Sequence, residues 1–157
     1  MFHIALYQPE IPPNTGNIIR LCANAGSQLH LIHPLGFSLD DKQLIRAGLD
    51  YHEQAIISEH ETYRRFRSRQ KTLSRLFAFS TKAKTSYETI NYRAGDCFLF
   101  GPETRGLPDT VMEELPESQV LRIPMLPNNR SLNLSNAVAI VLYEAWRQQD
   151  FLGKALI

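Results

Sequence analysis

Residues 97–108 read CFLFGPETRGLP, and this stretch indicates the fold more clearly than any other part of the chain. Its first four residues are all apolar, as expected for a strand in the middle of a sheet that is covered on both faces. Gly101 and Pro102 end the strand, and Gly106 with Pro108 makes a second turn. The segment therefore predicts a central strand that runs directly into a constrained loop.

Segments of strand and helix pattern alternate on both sides of this stretch. Strands are predicted at Phe2–Tyr7, Gln28–His33, Gln54–Ile57, Arg75–Phe79 and Val120–Ile123. Helices are predicted from an N-cap at Asn14 to a stop at Gly26, from Asp40 or Asp41 to Ala47, from Glu59 to Lys71, from Pro108 to Leu115, and from the end of a polar loop at Ser135 to about Gln149. This order predicts an α/β fold with a mainly parallel sheet flanked by helices, in a single domain over residues 1–157.

The composition is that of an ordinary globular protein, with 43% hydrophobic and 21% charged residues among 157. The net charge of +1 does not indicate a nonspecific nucleic-acid binder, so an RNA surface would have to be local or built from two subunits. We expect neither a signal peptide nor a membrane span, and hence a cytoplasmic protein with Cys22 and Cys97 as buried thiols. We expect no metal site, and the histidines are scattered, so none is assigned a role.

Glu103 and Arg105 are held between the two turns of the central loop. A carboxylate at the carboxyl end of a central strand lies where α/β folds bind their ligands. The alternative is a rigid surface turn in which Glu103 pairs with Arg105.

The segment NTGNIIR at 14–20 places Asn14, Asn17 and Arg20 at the start of a helix that follows a strand. Helix N-termini attract phosphate, and the planar guanidinium of Arg20 is suited to binding it. The alternative is that Asn14 only caps the helix and that Arg20 is an ordinary surface charge.

The segment IPMLPNNRSLNLSN at 123–136 is dense in Asn and Ser and precedes the last helix. Such side chains donate and accept hydrogen bonds and could hold an adenosine or amino-acid group. A flexible polar loop with a helix cap is the alternative.

The last helix is apolar in nearly every direction, because Glu144 is the one charged residue between Ala137 and Trp146. A helix that is apolar all round is expected to be buried all round. A second subunit could cover the face that the sheet does not, although a central helix in a monomer would meet the same requirement.

In their order along the chain, 14–20, 100–108 and 123–136, the three polar segments resemble the three motifs of the SpoU branch of the SPOUT methyltransferases. The resemblance is closest to the minimal YibK/TrmL-type tRNA 2′-O-methyltransferases and covers essentially the whole chain, in LYQPEIPPNTGNIIRLCANAG, GLDYHE, FGPETRGLP, RIPM and RSLNLSNAVAIVLYEAWRQ. It implies an α/β sheet whose C-terminal part, roughly residues 75–150, forms a trefoil knot. It also implies a homodimer through the knot-region helices.

The resemblance further implies S-adenosyl-L-methionine as cofactor and a tRNA anticodon loop as substrate, with methylation of the ribose 2′-hydroxyl of nucleotide 34, C or modified U, in leucine isoacceptors. The implied cofactor contacts are Phe79, Gly101, Glu103, Ile123, Met125, Ser131, Leu132 and Ser135. The implied catalytic residues are Asn14, Arg20, Glu103 and Asn133, and the implied RNA contacts are Arg20, Tyr143 and Arg147. Ala83-Lys84 stands where relatives suggest a glycine.

A guanidinium stays protonated, so Arg20 is a poor base. We instead expect Arg20 to bind a phosphate and to stabilise the developing alkoxide. Asn14 would orient Arg20, while Glu103 and Asn133 would shape the pocket near the methyl group. Two other hypotheses remain at this point: a non-catalytic RNA-binding protein of the same fold, and a nucleotide-binding metabolic enzyme. The chain has no glycine-rich dinucleotide-binding motif, but this and the near-neutral charge do not exclude the second hypothesis.

Overall fold

The computed structural model describes residues 1–40, 42–48, 55–70 and 75–155. In this part of the chain, seven strands form one sheet in the order β3-β2-β1-β6-β4-β7-β5, and every pairing is parallel. The strands are β1 His3–Tyr7, β2 Gln28–Ile32, β3 Ile56–His60, β4 Leu76–Phe79, β5 Thr85–Ser86, β6 Cys97–Phe100 and β7 Val120–Arg122. The parallel α/β architecture predicted from the sequence is confirmed.

Helices cover both faces of the sheet. They are α1 Pro12–Ala25, α2 Lys42–Gly48, α3 Tyr63–Gln70, α4 Asp109–Met112 and α5 Leu134–Arg147, with short 3-10 turns at 87–89 and 117–119. Side chains of α1, α2 and α5 contribute to one hydrophobic cluster, whereas Phe66 of α3 and Val111 of α4 belong to a second. Covering on both faces explains why β6 is apolar at all four positions and buried throughout.

The start of α1 differs from the prediction. The helix begins at Pro12 with Ile11 as its N-cap, so Asn14 is not the cap but lies in the first turn. Proline is well tolerated there because the first N–H groups of a helix have no intrahelical acceptor. Asn14 is thereby free to direct its side chain towards other elements. The predicted stop at Gly26 is confirmed, with a left-handed φ of 60°.

The boundary between β3 and α3 was also predicted wrongly. Residues 59 and 60, expected in a helix, belong to β3, and α3 begins only at Tyr63. His60 is buried, so tertiary packing outweighs the polar character of the local sequence. Asp41, Lys71, Gln54 and most of the GLDYHE segment lie outside the described residues.

Two further expectations need correction at the C-terminal side. Residues 85 and 86 form the short strand β5, which is not among the predicted strands, and Ser135, expected in a loop, lies in the first turn of α5. Helix α5 is buried on one face only, since Ile140 is 37% and Tyr143 is 42% exposed.

Three histidines that appeared scattered in the sequence meet on β1, β2 and β3. His3 Nδ1 lies 3.1 Å from His30 Nε2, and His30 Nδ1 lies 3.0 Å from His60 Nε2. Phe66 of α3 packs on both His30 and His60, with ring centroids 5.6 and 5.3 Å away. This row of imidazoles, His3–His30–His60, joins the three strands beneath α3.

Cys22 and Cys97 are buried free thiols, as expected. Among the described residues, none of the helices has the length and apolar character needed to cross a membrane. Nor does that part of the chain contain a group of three or more His, Cys, Asp or Glu side chains placed to hold a metal ion.

Candidate active site

A cavity of about 450 Å³ opens at the carboxyl ends of β4, β6 and β7. Its volume suits a ligand of nucleoside size. The walls combine apolar side chains with polar groups from three loops, and the lining residues are Ile11, Asn14, 79–82, 100–107, Ile123, Met125, 131–134 and Ala137. The cavity therefore brings together all three segments that the sequence singled out.

Two phenylalanine side chains line the cavity. Phe79 ends β4 and Phe100 ends β6, and the two residues are paired in the parallel register. Their rings stack with centroids 4.8 Å apart and an interplanar angle of 12°. The stacked pair therefore adds a rigid apolar patch to the cavity lining.

Close packing of backbone on backbone shapes the loop after β6. A Cβ added to Gly101 would lie 2.3 Å from the nitrogen of Leu107 and 2.4 Å from the carbonyl carbon of Gly106. Gly106 has a φ of +69°, and its N–H donates to the carbonyl of Pro102 at 2.9 Å. At Gly101 the loop packs so closely on its own backbone that only glycine fits.

Glu103 connects this loop by hydrogen bonds to the residues that precede α1. Its Oε2 accepts a 2.7 Å hydrogen bond from the backbone N–H of Glu10, and its Oε1 accepts a 3.2 Å bond from the N–H of Ile11. Oε1 also accepts a 3.2 Å hydrogen bond from Asn14 Nδ2. Both carboxylate oxygens of Glu103 are thus engaged by protein donors.

Glu10 makes the reciprocal contact. Its carboxylate accepts from the hydroxyl of Thr104 at 2.6 Å and from Arg105 Nε at 3.1 Å. The hydrogen bond from the Thr104 side chain is the main reason why the pKa of Glu10 is lowered. Arg105 therefore pairs with Glu10, so the alternative of an internal pair between Glu103 and Arg105 is wrong.

Asn133 extends the network to α5. Its Nδ2 donates a 2.9 Å hydrogen bond to Asn14 Oδ1. Its Oδ1 caps α5 by accepting from the Ser135 backbone N–H at 3.0 Å and from the Ser135 hydroxyl at 2.7 Å. Glu103, Asn14 and Asn133 thus form one continuous chain that joins three segments separated by up to 119 residues.

The predicted site residues divide into two groups. Those that line the cavity are Asn14, Phe79, Gly101, Glu103, Ile123, Met125, Ser131, Leu132 and Asn133. Ser135 lies behind Asn133, and Arg20, Tyr143 and Arg147 are likewise outside the lining. Arg20 is an exposed residue of α1, six positions beyond Asn14 and hence about 9 Å further along the helix axis. Arg147 pairs with Glu144, with an Nε–Oε2 distance of 2.8 Å.

Sequence reasoning missed the part of the site that precedes α1. Ile11 lines the cavity, and Glu10 ties down the 104–105 turn. The one local signal was the proline-rich start of α1, which places residues 10 and 11 just before a helix, where their N–H groups need acceptors.

The sequence profile of the SpoU rRNA methylase family matches residues 1–143. The chain belongs to this family. It is 59% identical, over 98% of its length and 99% of the relative's, to the tRNA (cytidine(34)-2′-O)-methyltransferase of Methylovorus glucosotrophus strain SIP3-4.

Solved structures agree with this assignment. One, described as giving structural insights into the 2-OH methylation of C/U34 on tRNA, is 46% identical and superimposes with a TM-score of 0.91 over 96% of this chain and 97% of that one. An AdoMet-bound rRNA methyltransferase from Sinorhizobium meliloti is 28% identical with a TM-score of 0.83, and 93% of this chain matches 56% of that longer one.

We expect Glu103→Gln to lower the free energy of unfolding by about 1–3 kcal/mol, because glutamine keeps one acceptor oxygen and its NH2 group then faces the N–H of either Glu10 or Ile11, which loses its acceptor. Urea denaturation would measure the loss. Glu117→Gln is the matched control, since Glu117 forms an exposed ion pair with Lys84 and should change stability by less than about 1 kcal/mol. Equal losses of stability in the two variants would show that the hydrogen bonds of Glu103 stabilise the fold no more than an exposed ion pair does.

Proposed function

We propose that this chain transfers a methyl group from S-adenosyl-L-methionine to the ribose 2′-hydroxyl of nucleotide 34, C or modified U, in tRNA. Leucine isoacceptors are the proposed substrates. The observation that carries the proposal is the continuous Glu103–Asn14–Asn133 network beside a cavity of about 450 Å³. Identity of 59% over nearly the whole length to a tRNA (cytidine(34)-2′-O)-methyltransferase supports the same activity.

The cavity residues fit the cofactor. Phe79 and Phe100 offer apolar contacts for its adenine or aliphatic part, while Ser131 and the backbone of 101–107 offer polar groups along the wall. Ile123, Met125 and Leu132 add apolar contacts at the carboxyl end of β7 and in the loop beyond it. Ser135 would act indirectly by holding Asn133.

S-adenosyl-L-methionine supplies a methyl group that is already activated by its bond to a sulfonium sulfur. The protein's task is then to position the 2′-hydroxyl for in-line attack. With the cofactor bound, transfer of its methyl group to the ribose oxygen would release the hydroxyl proton to a phosphate oxygen or a water. Both oxygens of Glu103 already accept hydrogen bonds from the protein, so we assign Glu103 to shaping the site and not to proton transfer.

Arg20 is the proposed phosphate-binding and alkoxide-stabilising residue. Its position outside the cavity lining suits contact with RNA rather than with the cofactor. The side chain of Asn14 bonds to Glu103 and Asn133, so we assign Asn14 to holding the site together instead of orienting Arg20.

We further propose a homodimer that packs through the exposed apolar face of α5 and neighbouring knot-region helices. Ile140 and Tyr143 on that face are more than a third exposed in the single chain, and burial of such side chains by a second copy is favourable. Tyr143 and Arg147 would then lie in or beside the interface, where they could also contact RNA. A single cytoplasmic domain, with roughly residues 75–150 threaded as a trefoil knot, completes the proposal.

The test is transfer of labelled methyl groups from S-adenosyl-L-methionine to tRNA from cells that lack this modification. We expect the label on one ribose, at nucleotide 34. Arg20→Ala should lower kcat/KM by about tenfold, the effect of losing one charge-assisted hydrogen bond. Arg93→Ala is the matched control, because Arg93 is exposed near the amino end of β6, away from the cavity.

Label on a base would contradict the ribose assignment but keep the methyltransferase class. Failure of the protein to bind S-adenosyl-L-methionine would overturn the proposed function altogether.

A further inference from the structure

Helix α3 concentrates positive charge that the cavity does not use. Its eight residues, YRRFRSRQ, contain Arg64, Arg65, Arg67 and Arg69. The whole chain has a net charge of only +1, so the remainder, without these four arginines, carries three more acidic than basic residues. A near-neutral protein therefore has a local basic surface.

The charges on α3 point away from the core. Tyr63 and Phe66 face the sheet, where Tyr63 contacts Tyr7 with ring centroids 5.8 Å apart and Phe66 is 1% exposed. Arg64, Arg65, Ser68 and Arg69 are exposed and occupy a contiguous arc of the opposite face. We call these four residues the α3 basic face.

The basic face is unfavourable for the isolated protein. Arg64 and Arg65 lie in the first turn, where the helix dipole disfavours cations, and this turn contains no acidic residue. Arg65 and Arg69 are a like-charged pair four positions apart, which also destabilises a helix. Within the described residues, the ion pairs include Arg67 with Glu114 at 3.7 Å but none to Arg64 or Arg65. An anionic partner would relieve these repulsions.

The position of α3 relates it to the cavity. The helix begins three residues after β3 ends, so its first turn lies at the carboxyl edge of the sheet, the edge on which the cavity opens. Strand β3 lies three to five positions from β6, β4 and β7, the strands that end at the cavity, which corresponds to about 14–24 Å across the sheet. An RNA whose target ribose reaches the cavity can therefore extend its backbone across this distance to the α3 basic face.

We propose that the α3 basic face binds the phosphodiester backbone of the tRNA that flanks the methylated nucleotide. This inference rests on the proposed function, because that reaction supplies the polyanion. Arginine contacts to phosphate add affinity without reading sequence. The face would thus hold the tRNA while the cavity selects the ribose.

The test compares three double variants in tRNA binding and methyl transfer. Arg64→Gln/Arg65→Gln removes two charges from the α3 basic face, Arg64→Lys/Arg65→Lys keeps them, and Arg93→Gln/Lys154→Gln removes two exposed charges elsewhere. We expect the first variant to raise the Kd for tRNA by about tenfold and to reduce the slope of log K against log salt by about 2. The Kd for S-adenosyl-L-methionine should not change.

The Lys variant should recover most of the tRNA affinity, and the remote variant should bind as the wild type does. If the wild type methylates tRNA while the Gln variant keeps its Kd and salt slope, the inference is overturned and the proposed function stands. If the wild type does not bind tRNA at all, both fail. Loss of binding to phosphatidylserine vesicles in the Gln variant, with tRNA affinity unchanged, would assign the face to a membrane surface and also overturn the inference.

Discussion

Replacement of Gly101 by alanine is expected to lower methyl transfer by about a hundredfold, the cost of misplacing catalytic groups by about 1 Å. The added Cβ would lie 2.3 Å from the Leu107 nitrogen and 2.4 Å from the Gly106 carbonyl carbon. Both are backbone atoms, and Leu107 is anchored in the core at 5% exposure, so the loop must move as a unit. That movement would displace Glu103 and, through it, the start of α1.

The same substitution should lower the free energy of unfolding by about 1–3 kcal/mol, as overpacking does elsewhere. The rate of methyl transfer from labelled S-adenosyl-L-methionine to tRNA and the stability to urea denaturation measure the two effects. Gly153→Ala is the control, because Gly153 also has a positive φ, +84°, but no atom lies within 4 Å of its added Cβ. It should cost some stability and leave methyl transfer unchanged. Wild-type transfer by Gly101→Ala would contradict the steric argument.

Much of the fold follows from local pattern. The apolar run at 97–100 indicated the central strand within its observed bounds, because a strand covered on both faces has little freedom in composition. The β3 region gave a weaker signal, because the strand predicted at Gln54–Ile57 stops three residues before the observed end of β3 at His60. His60 becomes buried only through contact with His30 and Phe66. His30 lies 30 residues away on β2, and Phe66 lies on the helix that follows β3. Local propensity does not contain this information.

The candidate active site was likewise predictable from the sequence only in part. Glu103 was predicted from its place after a central strand, and the prediction agrees with its position in the cavity wall. Its partners, the N–H groups of Glu10 and Ile11, are more than 90 residues away and follow from tertiary packing alone. Asn14 shows why the cap prediction failed: two prolines already begin the helix, and this leaves the amide to bridge Glu103 and Asn133.

The row of imidazoles is expected to make the protein sensitive to mild acid. Burial, helped by the neighbouring His3 and His60, lowers the pKa of His30 to about 3. Burial also lowers the pKa of His60, beside Arg69, and the pKa of His3, beside the N-terminus. The folded protein therefore resists protonation at three positions that bind a proton readily when the chain is unfolded.

The sign of the effect follows from the direction of these shifts. The ordinary pKa of histidine is 6.5, and above that pH both states are neutral and stability is fully present. As the pH falls from 6.5 towards 3, the unfolded chain takes up a proton that the folded His30 excludes. This loss can reach about 1.4 kcal/mol per pH unit for His30, or about 2 kcal/mol at pH 5.

Urea denaturation between pH 7.5 and pH 5, with His30→Gln beside the wild type, measures this contribution. Glutamine does not titrate, yet it can donate to one neighbouring imidazole and accept from the other. The variant should be less stable at pH 7.5 but should lose about 1.4 kcal/mol less per pH unit below pH 6.5. His33→Gln is the control, because His33 is a partly exposed histidine whose side chain pairs with Glu59 outside the row. Parallel pH profiles for wild type and His30→Gln would mean that His30 accepts a proton in the folded state, with both of its nitrogens then donating to His3 and His60.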